Sequence, residues 1–215
     1  SLEGTRINDG AFPGLDLEGV TVDPATGLLY ALVEGENAIV EFDPDSFTPL
    51  RRFSIGEMYE GRMLIPRGEG GIEGIAFVPD PGGGGSFFVV NRAPAATGPQ
   101  AEKGASFIAE LTVPIEATGR SSAEATIAGA APCRVADLTD LCWRDSERVF
   151  VAPSERTSSL VELDVAGTVL RSLPLPGRHQ EGVAFDTQGY CYIAQDSGGV
   201  MKLAMRDHAR SRGYP

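Results

Sequence analysis

The sequence predicts an all-β protein, a single β-propeller, on three observations. A short phrase recurs four times: LEGVTVD at 17–23, IEGIAFV at 72–78, LTDLCWR at 138–144 and QEGVAFD at 180–186. A turn rich in Asp, Pro and Gly follows each copy: DPATG at 23–27, DPGGGG at 80–85, RDSE at 144–147 and DTQG at 186–189. Two further apolar runs then close each unit, while no long helical periodicity interrupts the pattern.

The elements follow in order. The recurring phrase is the first strand of a unit. Its turn carries the residue types that set tight-turn dihedrals. The second strands are LLYALVE at 28–34, SFFVVN at 86–91, RVFVAPS at 148–154 and YCYIAQD at 190–196. The third strands are AIVEFD at 38–43, FIAELT at 107–112, SLVELD at 159–164 and VMKLA at 200–204. In them Glu41, Glu110, Glu162 and Lys202 correspond, flanked by apolar residues, so one face of each strand is wetter than the other. Fourth strands are predicted at 49–55, 124–129 and 168–175. Four-stranded units repeating at roughly 40–50 residues are propeller blades. The blades read as 15–55, 72–129, 135–175 and 179–204 within one domain spanning 1–215. The last lacks a fourth strand, and the segment around Thr5 to Asn8 is expected to supply it and close the ring, removing an exposed edge.

Composition fits this reading and narrows function. The chain has 215 residues, 27 glycines and 15 prolines, which sit mostly between apolar runs. Its formal net charge of −12 repels phosphate backbones and anionic headgroups, so nucleic acid is excluded as a partner. No run approaches the roughly 20 apolar residues of a membrane-spanning helix, so no direct membrane insertion is expected. The first residues lack an apolar signal core and the chain begins without Met. A processed N-terminus is expected, with a periplasmic or secreted location if a targeting segment was removed. Cys133, Cys142 and Cys191 fit neither a disulfide framework nor a zinc spacing, so they read as ordinary thiols, a Cys133–Cys142 bridge being the alternative.

Inside each first strand a small residue (Thr21, Ala76, Cys142, Ala184) marks the crowded centre of the ring. Its neighbours Val20 and Val22, Ile75 and Phe77, Leu141 and Trp143, Val183 and Phe185 are expected to pack between sheets. Trp143, the single tryptophan, reads as core.

The phrases DLEGVTVDPATGLLYAL, GIEGIAFVPD, VADLTDLCW with SSLVELDVAGTVLRSLPL, and QEGVAFDTQGYCYIA resemble the SdiA-regulated family of bacterial β-propellers. More distantly they resemble gluconolactonase-like and phytase-like propellers. The resemblance covers about Leu15 to Leu203. It implies a ligand- or calcium-binding propeller of five blades. This chain departs from that count, because GEMYEGRMLIPRGEG at 56–70 is too short for a blade.

Propeller geometry locates a site. First strands begin, and second strands end, at one mouth of the channel. Glu18, Glu73, Asp140 and Glu181 are therefore candidate metal ligands, with Thr139 beside Asp140. Glu34, Asn91, Ser154 and Asp196 are the candidate ligand-binding rim. Converging carboxylates repel one another and call for a cation, and calcium takes 6–8 hard oxygen ligands. The competing reading is that each carboxylate caps backbone N–H groups of its own or the neighbouring blade. His179, two residues before Glu181, is the candidate general base beside a metal-bound water; His208 lies in the tail. The inserts 57–70 and 93–106 are candidate partner surfaces or packed loops.

The expected function is therefore a non-enzymatic propeller that binds a small ligand or a protein partner, with a calcium site at the channel mouth. The alternative is a metal-dependent hydrolase of lactonase or phosphoesterase type.

Overall fold

The computed structural model describes residues 15–33, 35–65, 71–91, 106–116 and 123–205. They form seventeen strands and no helix. The first blade holds β1 (Leu17–Val22), β2 (Leu29–Val33), β3 (Ala38–Phe42) and β4 (Pro49–Ile55), and a small hairpin follows, β5 (Met58–Tyr59) with β6 (Arg62–Met63). The second holds β7 (Ile72–Pro79), β8 (Gly85–Asn91), β9 (Phe107–Thr112) and β10 (Ala123–Pro132). The third holds β11 (Cys142–Arg144), β12 (Val149–Ser154), β13 (Ser159–Leu163) and β14 (Val169–Pro174). The fourth holds β15 (Gln180–Phe185), β16 (Tyr190–Gln195) and β17 (Val200–Ala204). Within each blade, consecutive strands pair antiparallel.

Turn chemistry explains the hairpins. Asp23, Asp164 and Asp186 each end a strand and accept backbone N–H groups two residues on, from Ala25, Ala166 and Gln188. Each is followed by a glycine with φ near +80°, Gly27, Gly167 and Gly189, a conformation in which Cβ is penalised.

Packing explains why the strands read as nearly continuous apolar runs. Alternate side chains of a strand point to opposite faces, and here both faces are covered. In β8, Phe87 and Val89 join the core shared with the first blade, while Phe88 and Val90 join the core shared with the third. In β12, Phe150 and Ala152 face the second blade, while Val149 and Val151 face the fourth. Three cores thus alternate with blades around the channel. The outer face of the first blade is also buried, through Ala31, Val33, Ala38, Val40 and Phe42.

Two features depart from the sequence pattern. β10 runs from 123 to 132, because its first three residues pair parallel with β4 and the rest pair antiparallel with β9. The first two blades therefore share an outer edge in one eight-stranded sheet. Second, Val20 and Val22 do not pack between sheets; they are 60% and 46% exposed. Thr21 between them turns toward the second blade, its Oγ1 accepting the N–H of Phe77 at 3.0 Å, so the valines point the other way.

The three cysteines are free thiols, and burial pushes each up to about 12. Leu64 and Ile65 of the first insert pack into the core, whereas Met58 and Met63 are exposed. The expected closure by the N-terminal segment lies outside the described residues, as do Glu34, His208 and most of the second insert.

Candidate functional site

The site is built by one local device repeated four times. Leu17 pairs with Val33, Ile72 with Asn91, Leu138 with Ser154, and Gln180 with Gln195. Immediately after each pair, the inner strand carries one residue more than its partner. Such a bulge re-aims side chains that a regular strand would send to a sheet face. Glu18, Glu73, Thr139 and Glu181 are the first residues of the bulges. Gly19, Gly74, Asp140 and Gly182 are the second.

The second position is where the blades meet. A Cβ on Gly19 would lie 2.8 Å from the Ile75 nitrogen, and one on Gly74 would lie 2.5 Å from the Asp140 Cα. Only glycine allows that approach. Asp140 ends the series and uses its side chain instead: Oδ2 accepts the N–H of Val183 at 2.8 Å. Its neighbour Thr139 donates through Oγ1 to the Gln180 carbonyl at 2.6 Å. Together they fasten the third blade to the fourth.

Glu18, Glu73, Asp140 and Glu181, with Asp196, line one cavity of about 450 Å³ at this end of the channel. Its remaining lining is Leu17, Gly19, Val20, Gly182 and Ala194. Among the described residues, then, the lining carries five carboxylates and no cationic side chain. Asp140 is 7% exposed. Burial, opposed by the Val183 and Leu141 N–H groups and reinforced by the charge of Glu18, pushes its carboxyl up to about 7. Its Oδ1 is buried without a hydrogen-bond partner.

The donors are hard oxygens, the chemistry calcium prefers. Among the described residues, however, no three histidine, cysteine or carboxylate side chains are grouped closely enough to hold a metal ion as they stand. The donor set fits a cation, and the carboxylates would have to draw inward around it.

The other rim residues go elsewhere. Asn91 is buried, and its Oδ1 accepts the N–H of Phe107 at 3.0 Å. Ser154 is buried and donates to the Ala136 carbonyl at 2.8 Å. Neither lines the cavity. Both occupy the last paired position of the second strand, whereas Asp196 stands one residue beyond it, as do Glu34 and Glu155. His179 also stays off the cavity; its Nδ1 meets Glu155 Oε1 at 2.6 Å in an exposed pair. Glu155 was missed in the sequence, although the acidic residue following the second strand recurs in three blades.

Trp143 is half-buried and stacks at a tilt against Phe150, with ring centroids 4.8 Å apart. The rest of its surface faces the channel rather than a sheet.

Comparison with known proteins gives one family and a likeness of fold to solved structures. A family model named phytase-like, described as the esterase-like activity of phytase, matches residues 3–151. No curated protein matches the chain. Among solved structures, the chain is similar to a protein of unknown function from Bacteroides caccae, with TM-score 0.54 and 15% identity over 91% of this chain and 59% of that one. It is also similar to the PQQ-bound aldose sugar dehydrogenase of Streptomyces coelicolor, with TM-score 0.51 and 14% identity over 83% of this chain and 56% of that one. The chain thus spans less than three fifths of either structure. At such identities the likeness is one of fold.

Proposed function

The chain belongs to the phytase-like family, and from that premise we propose that the mouth of its channel is a cation-dependent binding site, with calcium as the inorganic ion. One observation carries the reading: carboxylates from all four blades, Glu18, Glu73, Asp140 and Glu181, line a single cavity with Asp196. Charges of one sign gathered in a partly desolvated space are stabilised by a counter-ion. Burial above all, with the charge of Glu18 adding to it, holds the Asp140 carboxyl up at about 7, and a cation bound beside it would lower that value. Calcium, when bound, would supply positive charge and open coordination positions for an anionic or oxygen-rich ligand. Glu18, Glu73 and Glu181 would hold it. The phrases resembling SdiA-regulated propellers support the same binding role. Met58 and Met63 on the exposed hairpin are where a protein partner would dock.

A second reading, ester hydrolysis dependent on that cation, is favoured by the family description. The described chain offers it no histidine on the cavity, since His179 pairs with Glu155 outside it.

Melting curves test the first reading. A ligand that binds only the native state stabilises it by about 2.7 kcal/mol at 100 times its dissociation constant. For a chain of this size that is a rise of about 5–10 °C in calcium over chelator. Glu18→Gln with Glu181→Gln should abolish the rise. Identical curves in calcium and chelator would rule out calcium at this mouth. Nitrophenyl ester turnover that needs calcium and disappears in the double variant would favour the hydrolase.

A further inference from the structure

A second cavity, of about 440 Å³, adjoins the acidic one, and Val20 lines both. Inner strands of all four blades contribute to it: Val20, Thr21 and Val22 from β1, Phe77 from β7, Trp143 from β11 and Phe185 from β15. Val20 and Val22 are exposed, whereas the equivalent Ile75 and Phe77 of β7 are buried. An apolar pair on an inner strand thus stands uncovered in a space that it shares with three aromatic rings. The polar groups of the lining are few and mostly engaged. Trp143 donates its indole N–H to Asp145 Oδ1 at 3.2 Å, and Cys142 donates through Sγ to the Trp143 carbonyl at 3.8 Å. Thr21 Oγ1 accepts the N–H of Phe77 at 3.0 Å, which leaves its own hydroxyl proton to be donated. Asp145 is the single charged side chain among the described lining. Arg148 lies over the Trp143 ring, 5.7 Å from its centroid, and Arg144 over the Phe185 ring at 4.7 Å; neither arginine lines the cavity. Both rings therefore already carry a cation.

We propose that this part of the channel binds a neutral aromatic carbonyl compound, its ring among Val20, Val22, Phe77, Trp143 and Phe185 and its oxygen on the Thr21 hydroxyl. Three observations converge on that class. The volume and the apolar, aromatic lining are those of a small-molecule pocket, in which a few polar groups set orientation. Three ring systems in one cavity favour an aromatic guest, because offset and edge-to-face pairs gain more than the area they bury. The lining also selects against charge. An anion would lie against Asp145, with no cationic side chain among the described lining to hold it, and would give up its hydration in an apolar space. A cation would be the second positive charge on rings that Arg144 and Arg148 already occupy. The hydrogen-bond inventory then calls for an acceptor: Thr21 has a proton to give, and the indole N–H is taken. The inference depends neither on the mouth carboxylates nor on a cation bound between them.

Calorimetry on the full chain at pH 8 tests it. The probes are methyl naphthyl ketone, its saturated counterpart methyl decalinyl ketone, ethylnaphthalene, naphthoate and naphthylmethylammonium. Methyl naphthyl ketone should bind one to one, and equally in calcium and in chelator. Ethylnaphthalene, which lacks the acceptor, should bind about three- to tenfold more weakly, the worth of one net hydrogen bond. The saturated ketone should bind more weakly by about threefold or more. Naphthoate and naphthylmethylammonium should each bind at least about tenfold more weakly. Thr21→Val should reduce the ketone to the level of ethylnaphthalene and leave ethylnaphthalene where it was, and Thr21→Ser should restore the difference. Val22→Asp, at a half-exposed position, should weaken every neutral probe with little change in melting temperature. No saturable heat with the ketone, or a charged probe binding as tightly as the ketone, would overturn the inference. So would an affinity that vanishes in chelator, since the ligand would then belong to the mouth. Equal losses of ketone and ethylnaphthalene in Thr21→Val would overturn the role of Thr21. A calcium response that is absent while these affinities hold would count against the cation site alone.

Discussion

Asp140 stands where the other three blades carry glycine, and its consequences are those of a carboxylate rather than of a spacer. Its Oδ2 holds the Val183 N–H, while burial raises its carboxyl from the usual 3.8 to about 7. Between those two pH values the folded protein keeps a proton that the unfolded chain has lost. The group's contribution is therefore fully present below the unfolded value and is lost as pH rises through about 7. Asp140→Asn retains an acceptor for Val183 and removes the titration. Its stability relative to the wild-type protein should increase from pH 4 to pH 7 and then level off. Urea denaturation at pH 4, 6 and 8 reads this directly, and a difference that does not change with pH would show that Asp140 does not titrate in this range. The Asp140 position is visible in the sequence as LTD in place of EG. Its bond to the next blade is not, because it joins residues 43 apart in the chain.

At the scale of the element, the bulge at the head of each inner strand does two things with two residues. Its first residue is a carboxylate lining the mouth in three blades, and its second, where it is Gly19 or Gly74, lets the next blade approach to contact distance. Gly74→Ala would put a Cβ 2.5 Å from backbone atoms of Asp140 and 2.6 Å from the Leu141 nitrogen, and neither belongs to a flexible side chain. Overpacking against backbone costs typically 1–3 kcal/mol or more, so the midpoint of urea denaturation should fall by at least that equivalent. Gly129→Ala in β10 is the control. The nearest atom there is the end of the Glu110 side chain at 3.9 Å, and stability should change little. Equal effects at the two positions would remove the close-approach account of the EG phrase. The glycines were legible as a repeat, but the reason for them was not. A repeated glycine signals a turn, a bulge or a close approach equally well, and only the distance to the neighbouring blade distinguishes these.

Over the whole molecule, stability is distributed unevenly around the channel. The first two blades share an edge through β4 and β10, and Arg51 adds a bond from the first blade to the Ile115 carbonyl of the second at 2.9 Å. Arg51 is itself held by the buried Glu41, which also accepts the hydroxyl of Tyr30 at 3.0 Å. The fourth blade has three strands among the described residues, and β17 alternates exposed and half-buried side chains. Local opening is easiest where few apolar contacts and many exposed backbone bonds coincide. Hydrogen exchange should therefore release the amides of β17 first and those of β8 and β12 last. Ligand at the mouth should slow exchange in β15 and β16, which carry Glu181 and Ala194. Protection as high in β17 as in β8 would show that the outer face of this blade is covered.

The sequence by itself determined the strands, their turns and their grouping into blades. Those depend on period-two apolar patterning and on Asp and Gly side-chain chemistry acting within a few residues, and LEGVTVD or SLVELD carries them whole. It also placed Glu18, Glu73 and Glu181 at one position of the repeat, with Thr139 as their counterpart and Asp140 one residue on. Tertiary structure alone decided which groups share a space. It drew Glu18, Glu73, Asp140, Glu181 and Asp196 around one cavity, withdrew Asn91 and Ser154 into backbone bonds, paired His179 with Glu155, and left Val20 and Val22 facing an open channel. A side chain's surroundings are set by the angle and distance between blades. These arise from packing among residues far apart in sequence, which no local pattern records.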